Sequence, residues 1–262
     1  MTVIQTFATV VENEEIISGH RVIVCSAPDI AAIAEPGHFV NVLASGTYES
    51  ILRKPFSIFH ADPVSGQIAL LYQVLGATTL GMARKAPGDV VDIVGPLGRR
   101  VFEVDSRDDV LHVMVGGGYG VPPLVFLAER LKSIKPDVKI LFIVGARRKD
   151  LLLCEPELLR LGVDFAPSTE DGSHGTTGMV TDVLKDHLSS DAAVYCCGPT
   201  PMMRAIGDLC IAAGVSCQVS VEVPMPCGVG VCMGCVLDLV DGKRVRSCTE
   251  GPVFQAREVI WK

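Results

Sequence analysis

Short apolar runs separated by turn signals dominate the first hundred residues. The runs are rich in β-branched residues and occupy positions 22–25, 38–42, 68–74 and 90–94. Pro36-Gly37, Ser65-Gly66 and Pro87-Gly88-Asp89 lie between them and favour turns. One helix, 79–85, fits between two of the strands. Many short strands at this spacing predict an antiparallel β-barrel over residues 1–100.

Buried strands alternate with helices over residues 101–223. Strands are predicted at 110–115, 139–144, 164–166, 192–197 and 216–223, and helices at 122–133, 151–161, 180–188 and 202–213. This alternation predicts a parallel sheet with helices on both faces, a form typical of nucleotide-binding domains. The predicted fold class is therefore β barrel plus α/β, with residues 224–262 as a small C-terminal module.

Four cysteines mark the C-terminal module. They follow the spacing C-x4-C-x2-C-x12-C and are Cys227, Cys232, Cys235 and Cys248. This is the plant-type arrangement of ligands for a [2Fe–2S] cluster. Gly228, Gly230 and Gly234 permit the tight turns that a loop around a cluster requires. Zinc is the alternative, but zinc sites favour paired knuckles of short spacing, whereas here three cysteines crowd together and one is remote.

Composition limits the classes of partner. The chain has 262 residues, 48% of them hydrophobic, and a net charge of −7. It lacks the basic stripe that phosphate binding needs, so we expect no nucleic acid partner. Its longest apolar runs are too short to span a bilayer, and its N-terminus lacks a signal-peptide pattern. We therefore predict a cytoplasmic protein without membrane contact.

Two strand–turn–helix segments in the second region carry nucleotide-binding features. The run Gly116–Gly120 lies between a strand and a helix, where backbone amides and the helix N-terminus favour a pyrophosphate. An ordinary Rossmann site also needs an acidic residue after the second strand. Arg147, Arg148 and Lys149 stand there instead. The second segment, 196–203, reads Cys-Cys-Gly-Pro-Thr-Pro-Met-Met.

A GGGxG turn followed by CGPxPMM resembles the pyridine-nucleotide half of the ferredoxin–NADP reductase superfamily. In that superfamily the glycine turn holds the pyrophosphate, and the cysteine lies beside the nicotinamide. The resemblance implies a nicotinamide site formed by Gly117, Gly118, Gly120, Cys197, Gly198 and Pro199. It places residues 169–173 on the adenosine side. It favours NAD, although the basic residues 147–149 leave NADPH open.

The flavin half of the same superfamily is marked by R-x-[YF]-[ST]. Residues 53–58 read Arg-Lys-Pro-Phe-Ser-Ile, which puts Lys54 at the arginine position of the motif. Lysine keeps the positive charge but loses the guanidinium fork. The resemblance implies an FAD site that includes Arg53, Lys54, Pro55, Phe56, Ser57, Leu71, Tyr72, Gln73, Thr78 and Thr79. Thr79 is expected to open and cap a helix.

The barrel, the nucleotide domain and the cysteine module together resemble the electron-transfer subunits of dihydroorotate dehydrogenase B over essentially the whole chain. The resemblance implies an oxidoreductase subunit with FAD, one [2Fe–2S] cluster and NAD. It also implies an FMN-containing dihydroorotate dehydrogenase catalytic subunit as partner, in a heterotetramer with two subunits of each kind. Electrons from dihydroorotate would pass from FMN through the cluster and FAD to NAD+, in de novo pyrimidine biosynthesis.

The residues themselves leave two other functions open. One is a reductase subunit of similar build that serves a different redox partner. The other is a redox sensor without enzymatic activity, which would have no need for the paired nicotinamide signatures. No residue of this chain is expected to act as a catalytic acid or base.

Overall fold

A computed structural model of the protein describes residues 2–44, 52–107 and 109–261. The chain forms two compact units. The first comprises Met1–Val101, Val223–Val236 and Arg246–Pro252, and the second comprises Phe102–Glu222, Leu237–Val245 and Val253–Lys262. Residues 224–262 thus contribute to both units. The division of the chain into three consecutive domains stays a prediction.

The first unit is built on one antiparallel sheet of seven strands. These are β1 (Ile4–Ile17), β2 (His20–Ser26), β3 (Phe39–Leu43), β4 (Lys54–Ser57), β5 (His60–Asp62), β6 (Gln67–Gln73) and β7 (Val90–Leu97), with helices α1 (Pro28–Ala31) and α2 (Ala77–Ala83). Their order in the sheet is β4-β3-β7-β1-β2-β6-β5. The sheet curls so that Phe56 of β4 packs edge-on against Tyr72 of β6, with ring centroids 6.3 Å apart. The predicted antiparallel barrel is confirmed as a curled sheet, in which β4 and β5 are the end strands.

Strand β1 was not predicted from the sequence, although it is the longest in the described residues. Its register against β2 shifts between Val10 and Glu12, which is a bulge. A bulge changes which side chains face inward, so the alternation of apolar and polar residues is broken along the strand. Of its side chains only Ala8 and Val10 are fully buried.

The second unit is an α/β domain. Its main elements are β8 (Leu111–Gly117), α3 (Val121–Ile134), β9 (Ile140–Ala146), α4 (Glu155–Leu161), β10 (Asp164–Thr169), β11 (Thr176–Thr177), α5 (Val180–Leu184), β12 (Ala192–Cys197), α6 (Thr200–Ala213) and β13 (Ser216–Ser220). The chain continues through a hairpin, β14 (Val236–Asp238) and β15 (Arg244–Arg246), to α7 (Ser247–Glu250) and β16 (Val253–Gln255).

The strand order of the second sheet is β11-β10-β9-β8-β12-β13-β16. All neighbours are parallel except β13 and β16. The order runs outward in opposite directions from β8 and β12, so a topological switch point lies between them. In open parallel sheets, ligands bind outside the carboxyl ends of the strands at such a point.

Two of the predicted helices are shorter in the structure than in the prediction. The predicted helix 151–161 begins only at Glu155, because Cys154 has a φ of 65° and Pro156 opens the first turn. The predicted helix 180–188 ends at Leu184 and continues as a single 3₁₀ turn. Within the described ranges, no helix is long and apolar enough to cross a membrane.

Candidate functional site

The four cysteines of the C-terminal motif lie in the first unit and form two pairs. The thiol of Cys227 interacts with that of Cys232, and the thiol of Cys248 interacts with that of Cys235. The backbone nitrogen of Cys248 lies 3.5 Å from Cys235 Sγ. Four cysteines serve the two irons of a [2Fe–2S] cluster, which is two for each iron. The pairing therefore fits a two-iron cluster.

A single zinc ion is the alternative that the sequence left open. A four-cysteine zinc site requires all its thiolates to converge on one point. Among the residues that the structure describes, no three His, Cys, Asp or Glu side chains form a group that could hold one metal ion. Two cysteine pairs are the arrangement that the ligands of two irons would have.

The loop that follows Cys227 turns its backbone amides toward the sulfur of that residue. Burial alone would raise the pKa of the Cys227 thiol, but hydrogen bonds from the Cys232, Val229 and Val231 amides lower the pKa to about 6. Burial, followed by the neighbouring Cys235 thiol, raises the pKa of Cys248 to about 12. Because metal ligands must be thiolates, these amides favour the form of Cys227 that binds iron.

The floor of the cysteine loop is part of the curled sheet. The fully buried Asn41 of β3 donates from Nδ2 to the Cys227 carbonyl oxygen at 3.1 Å. Gly228, at a φ of 68°, passes so close that a Cβ there would overlap the Asn41 amide. Only glycine combines that backbone conformation with so close an approach. Apolar side chains of Phe39, Leu97 and Met225 pack around Cys235 and Cys248.

In the second unit, the two predicted nucleotide turns meet at the switch point of the sheet. Gly117 ends β8, a 3₁₀ turn covers Gly118–Gly120, and α3 follows directly. Cys197 ends β12, and α6 begins at Thr200. A Cβ on Gly120 would overlap the backbone carbonyl of Cys197. The structure thus brings Gly117, Gly118, Gly120, Cys197, Gly198 and Pro199 together, with two helix N-termini beside them, as an anion site requires.

The Cys197 thiol is not prepared for nucleophilic attack. Its Sγ lies 3.5 Å from the Ser220 carbonyl oxygen, and the residue is buried. Burial, followed by the charge of Glu222, raises the pKa of the Cys197 thiol to about 12. Since the thiolate is the nucleophile, this side chain is suited to positioning a ligand by contact.

The loops after β9 and β10 are joined by hydrogen bonds from backbone amides at the same end of the sheet. Asp171 N donates to Arg147 O at 3.2 Å, and Lys149 N donates to Ser173 Oγ at 2.8 Å. The Arg148 guanidinium forms an ion pair with Asp150, from Nε to Oδ1 at 2.8 Å and from Nη2 to Oδ2 at 2.9 Å. One of the three basic residues is therefore already neutralised within its own loop.

The candidate flavin residues lie on β4, β6 and α2 of the first unit. Lys54 is exposed at the start of β4, whereas Arg53 is half-buried, forms an ion pair with Asp92 and donates from Nη1 to Asp92 O at 3.0 Å. Pro55, Phe56 and Ser57 follow along β4. The arrangement favours Lys54 over Arg53 as the cation that faces a flavin pyrophosphate.

The two other flavin segments also have defined surroundings. On β6, Leu71 and Tyr72 are buried and Gln73 is half-buried; the Tyr72 hydroxyl donates to Asn13 Oδ1 at 2.9 Å. Thr78 is buried in α2. Helix α2 starts at Ala77, so Thr79 is its third residue and does not open it, contrary to expectation. Its Oγ1 nevertheless accepts hydrogen bonds from Leu75 N at 2.9 Å and Gly76 N at 3.1 Å, which caps the helix from inside.

Curated relatives match nearly the whole chain. A dihydroorotate dehydrogenase B (NAD(+)) electron transfer subunit from Desulforamulus reducens is 38% identical over 90% of this chain and 90% of its own length. The corresponding subunit from Geobacillus kaustophilus is 37% identical over 88% of this chain and 89% of its own. The chain belongs to this family of electron transfer subunits.

Matches to family models and to a solved structure agree with that membership. Residues 222–260 match the iron–sulfur cluster binding domain of dihydroorotate dehydrogenase B, and residues 114–208 match the oxidoreductase NAD-binding domain. The solved structure of an NADH-dependent reduced ferredoxin–NADP oxidoreductase, described for flavin-based electron bifurcation, superposes with a TM-score of 0.83. It is 29% identical and covers 98% of this chain and 90% of its own.

These findings confirm the predicted family, the fold class, the assignment to oxidoreductase subunits and the three cofactors FAD, [2Fe–2S] and NAD. The individual contact residues stay predictions. Sequence reasoning missed Asn41, whose contact with the cysteine loop spans 186 positions. It also passed over Ser247 and Thr249, although both adjoin Cys248 in the sequence.

Proposed function

We propose that this protein carries electrons from the FMN of a dihydroorotate-oxidising catalytic subunit to NAD+, in de novo pyrimidine biosynthesis. The observation that carries the proposal is the pairing of four cysteines on the curled sheet, in a member of the electron transfer subunit family. The bound cofactors would supply the chemistry. The cluster exchanges single electrons, and FAD can exchange single electrons with the cluster and a hydride with NAD.

The residues of this chain bind and orient those groups. Cys227, Cys232, Cys235 and Cys248 would hold the cluster. Lys54 at the start of β4 would neutralise the flavin pyrophosphate, and the turns after β8 and β12 would hold the nicotinamide nucleotide. No proton transfer by a side chain is required, in agreement with the protonated, buried Cys197.

The cysteine loop also presents a surface suited to a partner protein. Val229, Val231 and Met233 expose 47%, 77% and 54% of their surface around the exposed Cys232. Exposed apolar groups in one place mark interaction sites on soluble proteins. We place the catalytic subunit on this loop, in a heterotetramer with two subunits of each kind. A cytoplasmic location stays a prediction from the sequence.

An anaerobic absorbance titration of the purified protein with NADH, and separately with NADPH, tests the electron path. We expect NADH to bleach both the flavin band and the cluster band, since both groups lie on one path. A protein that holds both chromophores but does not react with NADH would contradict the proposal and favour a sensor or a different donor.

Removal of one cluster ligand tests the cysteine assignment. Cys232→Ala should abolish the cluster spectrum and the iron content while FAD reduction by NADH continues. Cys25→Ala, which changes a buried cysteine of the same unit, should keep both. Retention of the cluster in Cys232→Ala would overturn the assignment.

A charge placed on the loop tests the docking surface. Val231→Asp should prevent co-purification with the catalytic subunit, because a carboxylate would have to be buried without a partner. Val64→Asp places the same charge on a side chain of the same unit that is 96% exposed and distant in sequence from the loop. Equal recovery of the complex with both variants would contradict the proposed surface.

A further inference from the structure

Three buried side-chain oxygens lack a hydrogen-bond partner in the part of the chain that the structure describes. They are Asn41 Oδ1, Ser247 Oγ and Thr249 Oγ1. An unsatisfied buried polar group costs about 1–3 kcal/mol, and such groups are rare in folded proteins. All three adjoin the cysteines: Ser247 and Thr249 flank Cys248, and Asn41 bonds to the Cys227 carbonyl. Their concentration beside the cysteines indicates a site that receives a bound group, which could supply partners to those of the three that can donate.

Thr249 lies beside the loop that faces the fourth cysteine. A Cβ built on Gly230 would lie 3.2 Å from Thr249 Oγ1 and 2.9 Å from its Cγ2. The backbone amide of the same Gly230 hydrogen bonds to Cys248. The Thr249 hydroxyl therefore packs against the peptide unit that contacts the Cys248 sulfur.

Ser247 lies between the third and fourth cysteines and is fully buried. Its backbone nitrogen donates to Cys235 O at 2.9 Å, and the next residue, Cys248, directs its own nitrogen toward Cys235 Sγ at 3.5 Å. The first turn of α7, which contains Ser247, is thus fixed against the Cys235–Cys248 pair.

The three unsatisfied oxygens differ in whether they can donate a hydrogen bond. A hydroxyl can donate a hydrogen bond, whereas the carbonyl oxygen of an asparagine amide only accepts. Thiolate and sulfide sulfurs are acceptors. Asn41 Oδ1 therefore cannot bond to a cluster sulfur, and its residue acts by holding the Cys227 backbone. Ser247 and Thr249 can both donate.

We propose that the Ser247 and Thr249 hydroxyls donate hydrogen bonds to sulfur atoms of the bound cluster at its Cys235–Cys248 side and raise its reduction potential. The proposal rests on the cluster site described under the proposed function. Reduction adds negative charge to the cluster, so a donor stabilises the reduced form more than the oxidised form. Hydrogen bonds to the sulfurs are among the factors that set such potentials.

The test is an anaerobic redox titration of the whole purified protein, followed by the electron paramagnetic resonance of the reduced cluster. Ser247→Ala and Thr249→Val should each shift the potential to more negative values, and the double variant should shift it further. Each single substitution should shift the midpoint potential by up to about 59 mV, which corresponds to a tenfold change in the ratio of reduced to oxidised cluster at a fixed applied potential. Thr249→Ser should keep the wild-type potential because it keeps the hydroxyl.

Thr9→Val removes an exposed hydroxyl from the same unit and should change nothing. The flavin potential should be constant throughout. Iron analysis of the wild-type protein tests the cluster site itself: absence of iron there would defeat the proposed function and this assignment with it, whereas variants with full iron content test the assignment alone. An unchanged or more positive cluster potential in the double variant, with full iron content, would overturn the assignment.

If Ser247→Ala or Thr249→Val loses iron, the variant that keeps a hydroxyl at the same position decides the role of the side chain. Ser247→Thr and Thr249→Ser should keep iron if hydrogen-bond donation is the role of these side chains. Electron–nuclear double resonance should show a hydroxyl proton coupled to the cluster in Thr249→Ser as in wild type, and this proton should exchange in deuterium oxide. Loss of iron from these two variants, or absence of a hydroxyl coupling in wild type, would mean that the side chains serve packing only, which overturns the proposal.

Discussion

The close approach of Gly120 to Cys197 gives a sharp test of the nucleotide site. Gly120 has an ordinary helical backbone, with φ of −77° and ψ of −13°, so an alanine there causes no backbone strain. The obstacle is space, because a Cβ would lie less than 3.0 Å from the Cys197 carbonyl group and the Gly198 nitrogen. Non-bonded carbons pack at about 3.5–4.0 Å, so the two turns would have to separate by more than about 1 Å.

Such a separation should be costly for NADH. A misplacement of about 1 Å can reduce a rate by roughly a hundredfold, since binding groups must hold the reacting atoms in line. We therefore expect Gly120→Ala to lower the second-order rate of flavin reduction by NADH about a hundredfold. Stopped-flow absorbance at the flavin band, over a range of NADH concentrations, measures this rate.

Gly214→Ala is the matched control in the same unit. Gly214 ends α6 with a φ of 68°, and no atom lies within 4 Å of the point that its Cβ would occupy, so the alanine strains the backbone without a collision. It should lower the free energy of unfolding by about 1 kcal/mol and leave NADH reactivity near wild type. Wild-type reactivity of Gly120→Ala, or an equal loss in Gly214→Ala, would refute the reasoning.

Three further predictions follow from single contacts. Lys54→Ala should weaken FAD binding more than Arg53→Ala. Arg53→Ala should lower the free energy of unfolding by about 1 kcal/mol, because Asp92 loses its ion-pair partner but keeps its hydrogen bonds from Gln5. FAD fluorescence titration and urea unfolding measure the two effects, and the opposite ranking would contradict the prediction. Asp150→Asn should free Arg148 for a 2′-phosphate and raise kcat/KM for NADPH roughly fivefold, with kcat/KM for NADH little changed; this is the effect of about 1 kcal/mol for an exposed ion pair. Steady-state assays with both nucleotides measure it, and an unchanged ratio of the two kcat/KM values would argue against it. Burial lowers the pKa of His38 from 6.5 to about 4, and its Nδ1 accepts a hydrogen bond from Glu35 N at 2.9 Å, so the ring is neutral when folded. Below pH 6.5 the imidazole is protonated in the unfolded chain but not in the folded protein. The free energy of unfolding is therefore highest above pH 6.5 and falls as pH falls toward 4, by about 1 kcal/mol between pH 7.5 and 5.5. Urea unfolding of wild type and His38→Gln measures this, and equal pH dependence in both would contradict it.

The sequence by itself determined the local chemistry. The cysteine spacing, the glycine turn after β8 and the Cys-Gly-Pro turn after β12 were each recognisable within a few residues. Such motifs can be read because tight turns and ligand spacing depend on the local backbone. The alternation of strands and helices likewise predicted the parallel sheet, because its core strands, such as Ala192–Cys197, are apolar on both faces.

Tertiary structure decided which of the candidate residues are already engaged. Asp92 forms an ion pair with Arg53, which lies 39 positions away in the sequence, and this contact favours Lys54 as the cation for the flavin pyrophosphate. Asn41 reaches Cys227 only because the curled sheet lies under the cysteine loop. The orphaned hydroxyls of Ser247 and Thr249 could be recognised only once the partners of the other buried polar side chains were known. These features depend on contacts between distant residues, which folding creates and no local pattern encodes.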